Sequence, residues 1–285
     1  MSVEIVWQWF VAPLQFEFML KAIFVSALVG FVCSVLSCYL TLKGWALMGD
    51  AVSHAVLPGV VIAYILNVPL AIGAFVFGVG SVISIGFIKA RTRVKEDTVM
   101  GLVFTGFFAF GLVLISKTRI SVDLMHILFG NVLGISDQNL MQTIIISAVT
   151  IVFLMILRKD LLLFCFDATH AHSIGLNTTA LYYILLTLLA LIIVAAQQTV
   201  GIILVIAMLL TPGATAYMLS DDFGKMTLIA AISGVFSGVM GTYISYYLDA
   251  ATGGCIVVLQ TLLFVIAMIF APKHGLLVKT LQTHS

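Results

Sequence analysis

Thr179-Ala-Leu-Tyr-Tyr-Ile-Leu-Leu-Thr-Leu-Leu-Ala-Leu-Ile-Ile-Val-Ala-Ala196 is followed by Gln197-Gln198 and then by a second apolar stretch from Thr199 through Leu219. Neither stretch holds a charged residue, and each is long enough as a helix to cross roughly 30 Å of hydrocarbon. Two such spans joined by two polar residues read as a tight helical hairpin of antiparallel neighbours. Outward from this pair the pattern repeats. Nine apolar segments are read, at 18–42, 46–66, 69–88, 98–116, 138–157, 179–196, 199–219, 226–247 and 254–271, with Asn67-Val68 as a second tight connection.

Composition agrees. The mean hydropathy is +1.22, and 13 Lys and Arg with 12 Asp and Glu among 285 residues make only 9% charged. A soluble globule carries about 25%. The expected fold is an all-α polytopic membrane bundle of about eight to nine transmembrane helices, forming one transmembrane domain over 18–271. Residues 1–17, with Trp7, Trp9 and Phe10, read as an interfacial anchor, and 272–285 as a cytoplasmic tail. A net charge of +1 argues for no nucleic-acid partner. Cys33, Cys38 and Cys255 fall in apolar segments and read as small hydrophobes, whereas Cys165 falls in a polar connection.

Orientation follows from the basic residues, which concentrate on the cytoplasmic side. With the amino terminus outside and the carboxyl terminus in the cytoplasm, Lys43, Lys89, Arg91, Arg93, Lys95, Arg158, Lys159, Lys225, Lys273 and Lys279 are inside. Lys21, Lys117 and Arg119 remain outside. This topology starts the second span at the cytoplasmic face and places Asp50 shallow, unless the segment from Gly44 is unwound or surrounded by other helices.

That span carries the most expensive pair in the chain, Asp50 and His54 in Gly49-Asp-Ala-Val-Ser-His-Ala-Val-Leu-Pro-Gly59. A charge in hydrocarbon costs at least about 2.5 kcal/mol, so an acid there needs a partner, a water-filled cavity or a cation. On a helix Asp50, Ser53 and His54 share one face. A carboxylate, a hydroxyl and an imidazole suit Mn(II), Fe(II) or Zn(II) better than the all-oxygen preferences of Ca(II) and Mg(II). The plainer reading is a hydrogen-bonded interhelical pair. Two strong ligands make half of a site, to be completed by a second subunit, other helices or water. Pro58 with Gly44, Gly49 and Gly59 permits a kinked or unwound helix, which would turn backbone carbonyls toward a cavity.

Two further clusters are polar. Asp123-Leu-Met-His126, outside in this topology, offers Asp123 and His126 one turn apart. They are candidates to receive metal at an outer mouth, with a lid or packing role favoured for the loop. Phe164-Cys-Phe-Asp-Ala-Thr-His-Ala-His-Ser-Ile-Gly-Leu176 is a cytoplasmic island. His170 and His172 point apart on a helix, so the island reads as a short surface helix ending near Gly175, either a docking knob for a partner or an ordinary amphipathic connection. Thr211-Pro-Gly213 is a kink with no ligand role, and the 12 methionines read as packing.

No motor or hydrolase signature is present. Gly224-Lys225 lacks both the upstream glycine and the following hydroxyl of a phosphate-binding loop, and neither H-E-x-x-H nor G-x-S-x-G occurs.

The runs 44–59, 123–131, 204–217 with its Thr-Pro-Gly-Ala-Thr-Ala-Tyr, and Ala271-Pro-Lys273 resemble the permease subunit of bacterial ABC importers for manganese, iron or zinc. The resemblance covers nearly the whole chain and leans toward the manganese and chelated-iron branch. It implies an inner-membrane homodimer served by two cytoplasmic ATPase subunits and an extracytoplasmic metal-binding protein, with no permanently bound cofactor. Asp50 and His54 match the family's metal ligands. The stretch 164–176 matches its ATPase-coupling helix, in which Asp167, Ala171 and Gly175 are the named positions. The expected cargo is Mn(II) or Fe(II). The competing expectations are zinc import by the same architecture, a proton-coupled secondary carrier in which Asp50 titrates, and an intramembrane enzyme, for which no nucleophile and base are visible.

Overall fold

The computed structural model describes residues 12–117, 134–271 and 275. Among them all regular structure is helical. A 3-10 turn at Ala12–Gln15 precedes α1 (Glu17–Lys43), α2 (Met48–Ala55), α3 (Leu57–Ile65), α4 (Leu70–Arg91), α5 (Glu96–Lys117) and α6 (Asp137–Ile156). Then follow α7 (Arg158–Phe166), α8 (Ala168–Ser173), α9 (Thr178–Val200), α10 (Ile202–Leu219), α11 (Phe223–Leu248) and α12 (Thr252–Phe270). With α2 and α3 counted as one broken span, nine units among the described residues are long and apolar enough to cross a membrane. The chain is a multi-pass membrane protein. The aromatic anchor at Trp7, Trp9 and Phe10 and all but Gly275 of the tail lie outside the described residues.

Helices that are apolar on every side sort by depth in the bundle. About two thirds of the most apolar window is buried in α1 and in the α2–α3 span (67% each) and 61% in α9, against 17% in α12. These three therefore form the centre. α1 lies between α10 and α11 and also meets α6, while α9 packs on α4 and α6. α2 sits among α5, α9 and α10, and α3 forms a hairpin with α4.

The α1–α11 seam is built from small residues. Ser26, Gly30 and Ser34 repeat every four residues on α1 and face Thr242, Gly238 and Gly234 on the antiparallel α11. Lipid tails are as apolar as leucine, so close backbone approach rather than hydrophobic drive holds such helices together. Thr242 Oγ1 donates to Ser26 Oγ at 3.1 Å across the seam. α10 is tied to α1 beside Pro212. Pro212 has no N–H to donate, and beside it Ser37 Oγ accepts from Gly213 N–H at 2.9 Å and donates to the Leu210 carbonyl at 3.2 Å.

The hairpin expected at Asn67-Val68 is present, with Asn67 left-handed (φ 55°) and Val68 N–H bonded to the Ala63 carbonyl. The one expected at Gln197-Gln198 is displaced. Both glutamines continue α9, and the chain turns at Gly201, whose φ of 86° and ψ of 161° are open essentially to glycine alone. Glutamine is a good helix former. Here the polar pair marks a cavity of about 360 Å³, shared with Gln138, Asn139, Gln142 and the α3–α4 hairpin.

Charged residues gather at the two ends of the bundle. Lys21 at one end reaches Asp137 at 2.7 Å and Glu17 at 2.9 Å. At the other, Lys43 Nζ donates to the Phe164 carbonyl at 3.2 Å, and Lys89 pairs with Glu96. The ends of α1 and α4 thus lie beside the starts of α5 and α9.

Candidate metal site

The second span breaks at Val56, between α2 and α3. Pro58 cannot supply the N–H that His54 O would receive in an unbroken helix. That carbonyl instead accepts the N–H of Val56. Just before the break, Asp50 Oδ1 lies 3.3 Å from His54 Nε2. Through residues 48–61 every side chain is buried except Asp50, His54 and Leu57, spaced i, i+4 and i+7. A single open stripe therefore runs down a helix otherwise enclosed, and its two polar members are the carboxylate and the imidazole. The exposed fractions of these side chains are 38% and 22%.

The pair is not shallow. The His54 ring packs 5.0 Å from Phe104 and 5.4 Å from Phe108, edge to face with the latter, near the middle of the 22-residue α5. Gly49 faces Leu209, near the middle of the 18-residue α10. Surrounding helices raise the site to the mid-level of its neighbours, although it follows α1 by only a few residues. The phenyl walls hold the imidazole while leaving the Asp50 side open.

Ser53 takes a different position. Its side chain is buried and its hydroxyl donates to the Gly49 carbonyl at 2.7 Å, so it lies inside the bundle at the edge of the face that the periodicity drew. Among the described residues no group of three or more His, Cys, Asp and Glu side chains converges on one point. Asp123 and His126 lie outside the described residues.

The cytoplasmic island folds as α7 and α8. Asp167 is the N-cap of α8, its Oδ1 accepting from Thr169 N–H and His170 N–H at 2.9 Å each. Gly175 ends the turn with φ of 90°, and Leu176 N–H returns to the Ala171 carbonyl at 3.1 Å, the pairing expected of a left-handed cap. Ala171 is fully buried and seats the helix on the bundle; the surface it leaves outward is Phe166, 80% exposed, with Ile174, His170 and His172. All three named positions therefore shape α8 rather than cover it.

Lys43 joins this arm to the start of α2, a link with no sequence signal beyond a lysine at a helix end. Besides the Phe164 carbonyl it reaches the Phe164 ring at 4.0 Å and the Trp45 ring at 5.9 Å. Trp45, buried just before α2, stands edge to face on Tyr182 of α9 at 5.3 Å. The Phe104 and Phe108 wall was also unread, though its i, i+4 aromatic spacing was available.

Cys165 corrects an expectation. It is 4% exposed and packs in the core like Cys33 and Cys38, because α7 folds back under α1. Burial pushes its thiol up to about 12, with Lys43 opposing weakly. Thiolate is the reactive form, so N-ethylmaleimide at pH 7.5 should leave Cys165 unlabelled in the native protein and modify it after denaturation, as mass spectrometry of the tryptic peptides would show.

Comparison with known proteins agrees with this architecture. The family model described as the ABC 3 transport family matches residues 15–271. The manganese transport system membrane protein MntB of Synechocystis sp. is 61% identical over 279 residues, spanning 98% of this chain and 91% of the relative. A probable iron transport system membrane protein of Haemophilus influenzae is 51% identical over 263 residues, covering 92% and 97%. Among solved structures, PsaBC from Streptococcus pneumoniae in complex with Fab aligns with a TM-score of 0.85 at 38% identity, over 95% of this chain and 98% of that one. The matched model spans the bundle from α1 to α12, including the broken span with its Asp50–His54 pair: the chain belongs to the ABC 3 transport family.

Proposed function

We propose that the chain is the inner-membrane permease of an ATP-driven importer of Mn(II) or Fe(II), and that it works as a homodimer in which two Asp50–His54 pairs together hold the passing ion. The observation that carries this reading is the open stripe on a buried, broken helix, whose only polar members are one oxygen and one nitrogen ligand. Relatives named for manganese and for iron transport support the cargo. The donor set also admits Zn(II). Two ligands per chain favour release, since a complete site would hold the ion against transport.

In this reading residues 18–271 are one permease domain, with the amino terminus outside and the tail 272–285 in the cytoplasm. A metal-binding protein delivers the ion from outside, and ATPase subunits grip α8. The capped, outward-facing α8 with exposed Phe166 favours an ATPase partner over a proton-coupled carrier, which has no need of it. Ser53, Asp123 and His126 remain candidates for the gate rather than for the metal-holding pair. The test is uptake of manganese into proteoliposomes holding permease and ATPase together. Uptake that needs ATP and the ATPase is expected; full uptake driven by a proton gradient without the ATPase would contradict it.

Lys43 gives a second check. Methionine keeps the aliphatic stem and removes the charge-assisted bond to Phe164. In Lys43→Met the ions moved per ATP should fall about tenfold, the scale of one such hydrogen bond, with ATP hydrolysis itself little changed.

A further inference from the structure

A groove of about 290 Å³ runs along the bundle surface where α1, α6 and α11 meet. Its upper walls are apolar, from Phe31, Val35, Ile151, Leu154 and Ala231, and its lower end is closed by Arg158 beside the first turn of α11. From Ile151 to Arg158 the helical rise makes it about 10 Å long. Apolar walls of that length leading to a basic end suit a hydrocarbon chain that carries an anionic head.

The lower end is cationic. Arg158 takes part in no ion pair among the described residues. Its guanidinium lies over Gly224, where even a Cβ would stand 3.5 Å from Nη2. Asp222, whose Oδ1 lies by the same Gly224 position, uses that oxygen to accept from Lys225 N–H at 2.9 Å as the cap of α11. We propose that this groove binds one anionic phospholipid, an acyl chain lying along Val35, Leu154 and Ala231 and the phosphate meeting Arg158. The charge count puts this end in the cytoplasmic leaflet, where basic pockets between spans take anionic headgroups. Arg158 opens α7, the arm that leads to α8, so the headgroup sits at the joint between the bundle and the proposed coupling helix. The site is independent of which ion the protein carries.

Native mass spectrometry of the full chain, purified in detergent and offered phosphatidylglycerol or phosphatidylcholine, tests it. One phosphatidylglycerol per chain should be retained in preference to phosphatidylcholine. Arg158→Gln should lower that preference about fivefold, the scale of one basic residue at a lipid surface. Ala231→Phe, which fills the groove, should lower retention of both lipids, and millimolar inorganic phosphate should not displace the bound lipid. Thermal unfolding in lipid-free detergent checks that each variant folds as wild type; a variant that fails gives way to Arg158→Lys, expected to keep the preference, or Leu154→Phe, expected to lose both lipids. Equal retention of the two lipids by the wild type, an unchanged preference in Arg158→Gln, or displacement by phosphate would overturn the proposal.

Discussion

Asp50→Ala and His54→Ala should each lower manganese uptake by at least about a hundredfold in proteoliposomes, while the protein still assembles with its ATPase. Losing even a group that only orients a ligand costs 10- to 100-fold in metal affinity, and the proposal makes these two side chains the ligands themselves. Assembly should survive because both are partly exposed on the open stripe and no helix depends on them for its cap. Removal of the His54 ring leaves Phe104 and Phe108 facing a gap, a modest packing loss. His54→Gln keeps a polar side chain of similar reach and should also fail to transport, which separates lost coordination from lost packing. Uptake at the wild-type rate in either alanine variant would remove the pair from the ion's path.

The largest effect on folding is expected at Gly234. A Cβ there would overlap Ser34 Oγ and stand 2.7 Å from the Gly30 carbonyl oxygen, which is backbone and cannot turn aside. Overpacking of this kind costs about 1–3 kcal/mol in soluble cores and more where a rigid backbone takes the strain. The seam joins α1, the central helix, to α11. Gly234→Leu should therefore give no folded protein by size-exclusion chromatography in mild detergent, and Gly234→Ala should lower the melting temperature by several degrees. Gly254→Ala, with nothing within 4 Å of its Cβ position, is the control and should melt as wild type.

How much of this was legible from residues varies by feature. Span boundaries were, because runs of apolar residues report directly on hydrocarbon thickness; all nine segments reappear within about four residues of their read limits. The break in the second span was announced by Pro58, and α8 by an Asp and a Gly at its two ends. Gln197-Gln198 misled because polarity was taken for a turn, whereas a pocket opening at the end of a bundle is also lined by polar helix residues. The α1–α11 seam left no mark on hydropathy, since glycine and serine are neither apolar nor charged enough to register. Depth was left open for a related reason. It depends on which helices surround a residue, and the counting of residues from a span's end ignores them. Ser53 was drawn onto the Asp50–His54 face by an angle at the margin of that face, and the contact with Gly49 shows how little margin there is.

The metal content of the assembled complex bears most directly on the shared site. In a complex arrested with a non-hydrolysable ATP analogue and equilibrated with Mn(II), one ion per two permease chains should be found by elemental analysis. X-ray absorption should then show two imidazole nitrogens in its first shell, and His54→Gln should abolish the binding. One ion for every chain, or a bound ion whose ligands include no imidazole, would contradict a site made from two Asp50–His54 halves.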